Sequence, residues 1–86
     1  MLESQIKKKC TGQLEKWGWL VIHLIQTNCN GVPDTIILRS SKVFFIEFKQ
    51  QGKAPRELQS YRIRKLLDQG FETIVVTDLK DIQHLK

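Results

Sequence analysis

Two acids and a lysine stand out in the stretch GVPDTIILRSSKVFFIEFK, residues 31 to 49: Asp34, Glu47 and, two residues after the second acid, Lys49. The apolar runs between them read as two strands around a tight turn at Ser40 and Ser41. With those serines as the loop, Arg39 faces Lys42, Leu38 faces Val43, Ile36 faces Phe45 and Asp34 faces Glu47. A four-residue loop closing at Leu38 and Val43 keeps this register, whereas a three-residue loop or a bulge breaks it. In it the two carboxylates have Cβ atoms about 5 Å apart on one face of the sheet. Lys49 points to that face too, because strand side chains repeat every second residue. Two ionised acids at about 5 Å repel by roughly 3 kcal/mol at an effective dielectric of about 20. That is a large cost for a domain whose total stability is about 5–15 kcal/mol. Either one acid holds a proton or a cation sits between them. Lys49 supplies part of that charge and a divalent metal would supply more; magnesium, which takes a few carboxylates and keeps several waters, matches the pair. The plainer alternative is a salt-bridge cluster at a strand end, with Lys49 neutralising Glu47.

Pro33-Asp34, a hairpin and then Glu47-Phe48-Lys49 resemble the signature of the PD-(D/E)XK nucleases. The set Gly31-Val32-Pro33-Asp34, Glu47-Phe48-Lys49 and, downstream, Gln59 with Gly70 is most similar to the virus-type replication-repair nuclease (VRR-NUC) domain, over nearly the whole chain from Glu3 to the run at 72–77. PD…ExK by itself arises often by chance; the four pieces in order, on the expected elements, are far more specific. The resemblance implies a metal-dependent phosphodiesterase on a restriction-endonuclease-like fold. Carried over by position, Asp34 and Glu47 are metal ligands and the backbone carbonyl of Phe48 is a third. Lys49 orients or helps deprotonate the attacking water and offsets charge on the phosphorane-like transition state, which is Lewis-acid catalysis with electrostatic stabilisation. The implied cofactor is Mg2+, with Mn2+ able to substitute, and the two carboxylates serve one metal or two.

Two further residues join this set. Glu3 precedes Ile6, Cys10 and Leu14 by three, seven and eleven residues, which puts it on the inward stripe of a first helix. An acid facing the core needs a partner there, and the resemblance makes Glu3 a further candidate ligand beside the metal. The alternative is a fraying N-terminal acid favoured by the helix dipole. Gln59 precedes Ile63, Leu66, Leu67 and Gly70 at helical spacing and so also faces inward. Its amide suits Lys49, the metal-bound water or a DNA phosphate; capping local backbone is the competing role.

The elements that must position these residues follow from periodicity. Residues 2 to 17 fit a helix, with Leu2, Ile6, Cys10, Leu14 and Trp17 on one side and Gly18 as its stop. The continuous apolar run at 19–26 suits a strand covered on both faces, and within it His23 reads as a buried, hydrogen-bonded strand histidine. Trp17 and Trp19 read as core or dimer packing. Residues 27–31 form a loop, and Pro33 extends Val32. After the hairpin, 50–55 is a second loop. Pro55 sits at the start of a helix running to about Gln69, with Gly70 as its stop. Residues 72–77 form a further buried strand, and Asp78 caps a short helix carrying Leu79, Ile82 and Leu85. The order α-β-β-β-α-β-α, with a right-handed crossover from the strand at 43–49 to that at 72–77, predicts a mixed α/β sheet with helices on both faces.

At 86 residues the chain is expected to be a single domain, 1–86, with no linker or repeat. Hydrophobic residues make up 41% and charged residues 27%, which excludes a disordered chain. Fourteen Lys and Arg against nine Asp and Glu give +5, a surface that favours polyanions. Lys7 and Lys8 on the first helix, with Lys53, Arg56 and Arg62 around the second, are candidate phosphate contacts; a solvated basic face explains each equally well. Cys10 and Cys29 are too few for a disulfide framework and read as free thiols. No run spans a membrane and no apolar signal core opens the chain, so the expected location is cytoplasmic, in the host cell if the source is a bacteriophage or related mobile element. The resemblance implies a homodimer acting on branched DNA such as a four-way junction. The rivals are a non-catalytic DNA-binding domain, a protein-binding domain whose acids form only salt bridges, and a nuclease with flap, nicking or sequence-specific preference. The lack of an obvious base-reading element weighs against sequence specificity.

Overall fold

A computed structural model describes all residues, 1–86. The element order is α1 (Glu3–Lys16), β1 (Leu20–His23), β2 (Thr35–Arg39), β3 (Lys42–Phe48), α2 (Glu57–Asp68), β4 (Glu72–Val76) and a 3-10 helix over Leu79–Leu85. The four strands form one sheet in the order β1-β2-β3-β4, antiparallel except for the β3–β4 pair. This is the expected mixed α/β architecture in the expected order.

Strand alternation gives the sheet two unlike faces. Ile37, Ile46, Phe48 and Val76 point to one face and are buried against Ile6, Cys10 and Leu14 of α1 and Ile82 and Leu85 of the 3-10 helix. The four-residue spacing of Ile6, Cys10 and Leu14 is what lets one helix cover this face. Trp19 completes the cluster, donating its indole N–H to the Leu85 carbonyl at 2.9 Å and meeting Phe44 edge-on at 5.8 Å. Arg39 lies over the Trp19 ring at 4.3 Å and donates to the Trp17 carbonyl. The tryptophans are packing residues, as their positions suggested. The other sheet face is covered only at the β4 side, where α2 lies and Phe71 meets Phe45 edge-on at 6.4 Å.

Three sequence expectations change. The run at 19–26 does not make a strand covered on both faces: β1 is four residues long, lies at the sheet edge and leaves Leu20 61% and Ile22 41% exposed. The reason is that α1 shields only one side of β1 and α2 sits at the opposite edge. His23 is accordingly exposed, not buried, although its ring is hydrogen-bonded. The strand at 72–77 is the other edge and is mostly half-buried. The last helix is 3-10, with Asp78 accepting from the Lys80 N–H as its cap. Both cysteines are free, and burial followed by the charges of Asp78 and Asp81 pushes the Cys10 thiol up to about 11. No helix is long and apolar enough to cross a membrane.

Candidate active site

The β2–β3 hairpin turns on Ser40 and Ser41, both in left-handed backbone with φ 51° and 66°. Such a two-residue turn matches the twist of the strands it joins. The resulting pairs, Arg39 with Lys42 through Thr35 with Ile46, are those counted from the sequence. One step further, Asp34 leaves the strand opposite Glu47. The expected register therefore holds, and the two acids meet where the strands end.

Each acid is held by its own lysine. Lys7 Nζ donates to Asp34 Oδ2 at 3.0 Å, reaching over from α1. Lys49 Nζ lies 3.5 Å from Glu47 Oε2. The second oxygen of Asp34 accepts from the Thr35 hydroxyl at 3.1 Å, and Thr35 is fully buried. Because that hydroxyl spends its proton on Asp34, the His23 Nδ1–H at 3.0 Å must donate to it. Beyond the ring, His23 Nε2 lies 3.5 Å from the Thr11 hydroxyl. A relay from β1 through β2 thus fixes the Asp34 carboxylate.

Glu47 is 7% exposed. Burial raises its carboxyl above the ordinary range; Lys49 opposes this, while Asp34 and then Glu3 add to it. Gln59 Nε2 donates to Glu47 Oε2 at 3.2 Å, and Gln59 Oε1 accepts from the Arg56 N–H at 2.9 Å. Of the roles considered for Gln59 the structure shows the backbone cap; its amide N–H goes to Glu47, a partner not expected, so the side chain ties the cap of α2 to the acid.

The remaining candidates divide. Phe48 buries its ring in the core, so only its backbone is left toward the site. Glu3 does not face the core: it is exposed on the first turn of α1 and forms no hydrogen bond or ion pair. It influences Glu47 through charge alone. Lys8, Lys53 and Arg56 are exposed. Arg62 is engaged internally, donating Nε–H to the Asn30 carbonyl at 2.9 Å, and so holds the 24–34 loop against α2. Next to it Gly31, at φ 84°, sits so close to Leu58 that a Cβ would fall 2.7 Å from Leu58 Cγ.

Lys7 and Thr35 belong to the site although their sequence context points elsewhere. Lys7 is hidden in a three-lysine run, yet it borders the Ile6–Cys10–Leu14 stripe. Thr35 alternates with Ile37 on the inward face, and a polar residue at a buried strand position requires a partner; that is the available signal.

The arrangement offers two carboxylates and two ammonium groups at one end of a sheet; neither here nor elsewhere do three or more His, Cys, Asp or Glu side chains converge to hold a metal. Among solved structures the chain is similar to one described as a VRR_NUC domain, with a TM-score of 0.84, 25% identity, and coverage of 96% of this chain and 91% of that one. No protein-family model matches the sequence. No curated protein matches it.

Proposed function

We propose that this chain, which has the VRR-NUC domain fold read from its sequence and borne out by the structural comparison, is a metal-dependent DNA endonuclease. The observation that carries the reading is the convergence of Asp34 and Glu47 at the open end of the hairpin, each with a lysine beside it. Each acid already has an ammonium beside it, so charge balance alone is met by Lys7 and Lys49. What supports the reading is that two carboxylates share the open end of the hairpin and that burial holds one of them toward its protonated form, a setting in which an added cation would favour its ionised form.

The donor set fits a hard divalent cation. Magnesium is bound through one or two carboxylates together with substrate phosphate and water, and Asp34 and Glu47 supply those carboxylates. The Phe48 carbonyl is the proposed third ligand, and Glu3 contributes negative potential. Mn2+ suits the same oxygen donors. A bound ion would there polarise a phosphoryl oxygen and lower the pKa of a bound water.

The protein's own residues supply the rest. Thr35 and its partner His23 hold Oδ1 of Asp34, which limits the carboxylate to one orientation. Gln59 holds Oε2 of Glu47 in the same way. Lys49, on a largely buried side chain, stands where its ammonium would orient an attacking water and offset charge on the pentacovalent phosphorus, and where its neutral amine would accept the water's proton. Lys7 holds Asp34 and, with a cation in its place there, would be free to contact a phosphate.

Branched DNA is the proposed substrate, and a second copy of this chain is the proposed partner. The uncovered half of the second sheet face, with Leu20 and Ile22 exposed, is continuous with the face that carries Glu47. Two-fold pairing there would set two sites on one side of the assembly. Cytoplasmic action on host or phage DNA fits this reading.

Asp34→Asn tests the assignment against a non-catalytic DNA-binding domain. The expected result is lost cleavage with duplex and junction binding retained in a gel-shift assay. A variant that cuts as well as the wild type contradicts it.

A further inference from the structure

The loop between β1 and β2 begins and ends at the candidate active site. Its first residue, Leu24, donates its backbone N–H to the Asp34 carbonyl at 2.6 Å, and the chain returns to that same residue. Between these points the loop is tied down. The Thr27 hydroxyl donates to the Cys29 carbonyl at 2.7 Å and accepts from the Cys29 N–H at 3.2 Å. Arg62 fastens the Asn30 carbonyl to α2, and Gly31 is pressed against Leu58.

This tethered loop encloses an open cavity of about 320 Å³ whose wall includes Asp34 itself. Gln26, Thr27 and Asn30 line it, and Ile25, 98% exposed, stands at its rim. A single exposed apolar side chain is ordinary on a protein surface. What distinguishes Ile25 is its seat on a fixed loop, beside a cavity lined by amides, within the wall of a phosphodiesterase site.

We propose that this cavity receives an unpaired nucleobase from the nucleotide next to the scissile phosphate, with Ile25 wedged against the base step it leaves. The proposal rests on the nuclease reading and names the feature of the substrate that the site selects. A nucleobase has an apolar face and an edge of donors and acceptors. Ile25 matches the face, and the Gln26 and Asn30 amides, which both donate and accept, match the edge. Apolar side chains inserted at base steps unstack and kink DNA. Extrusion costs least where the base is already unpaired or strained. A branch point supplies such a base next to the cut, whereas an intact linear duplex does not.

The test uses the full chain and a four-way junction carrying 2-aminopurine at the branch, in EDTA so that nothing is cut. Protein binding is expected to raise the 2-aminopurine fluorescence several-fold. Ile25→Ser is expected to abolish the rise and to bring junction cutting in magnesium down to the linear-duplex rate, while Ile25→Leu restores both. An unchanged rise and an unchanged junction preference in Ile25→Ser would overturn the proposal while leaving the nuclease intact. Absence of cutting by the wild type on every substrate would instead remove the reading beneath it.

Discussion

Burial places the ionised form of Glu47 at a disadvantage; Lys49 relieves part of it and Asp34 and Glu3 restore some. With a raised folded-state pKa, the folded protein binds more protons than the unfolded chain between the ordinary value of 4.5 and the raised one. Stability therefore falls as pH rises through that window. Glu47→Gln keeps an acceptor for Gln59 and removes the charge. Its Tm is expected to exceed that of the wild type at pH 7.5 and to match it at pH 4, by thermal denaturation at both; a lower Tm at pH 7.5 would contradict the account. Thr35→Val removes the donor to Asp34 and strands His23 Nδ1, at a cost of about 1–3 kcal/mol. Its kcat is expected to fall with DNA affinity unchanged, and Thr35→Ser to restore it. At this scale much is legible in the sequence: Asp34, Glu47 and Lys49 declare themselves by type and spacing, and Gln59 by its place on the helix wheel. Glu3 lies on the inward stripe of the helix wheel yet is exposed in the structure, and its link to the acids is its charge on Glu47. Lys7 is masked by the neighbouring lysines.

The hairpin is the element that sets the acids opposite one another. Serine bears a Cβ at both left-handed turn positions, which costs about 1–2 kcal/mol per residue relative to an unstrained conformation. The turn accepts Asn-Gly without loss of register. Replacing Ser40→Asn and Ser41→Gly together is expected to stabilise the protein by about 1 kcal/mol, or about 4–8 °C in Tm for a chain of this size, and to leave cleavage unchanged. A changed cleavage rate would mean that the turn does more than fix the register. Counting outward from a two-residue loop suffices to read this hairpin, because alternation gives strands a phase. β1 cannot be read the same way. An unbroken apolar run has no phase, so it tells neither which face is covered nor that Leu24 carries the ladder one position further, to Asp34. The 3-10 helix has a signal in Leu79, Ile82 and Leu85, whose uniform spacing of three matches three residues per turn.

Across the whole molecule, the +5 net charge is visible in composition, but its use is not. Lys7 is spent on Asp34 and Arg62 on Asn30, while Lys8, Lys53 and Arg56 remain exposed. The double variant Lys53→Ala, Arg56→Ala is expected to lower the dependence of log affinity on log salt by about two, one for each phosphate no longer neutralised; an unchanged slope would return both residues to a solvated surface. The sheet order and the helix layers follow from element order and the handedness of the β3–α2–β4 crossover. The uncovered half of the second face does not, since no local pattern reports which strand a helix will miss. The central claim is that this end of the sheet breaks phosphodiester bonds with a metal held by Asp34 and Glu47 and a proton-handling Lys49. The most direct measurement incubates the wild type and Lys49→Ala with labelled four-way junction, flap, single-stranded and linear duplex DNA in magnesium, in manganese and in EDTA. The account predicts cutting in either metal, none in EDTA, and a loss of about 10²–10⁴-fold in Lys49→Ala. Binding without cutting in every metal, or undiminished cutting by Lys49→Ala, would contradict it.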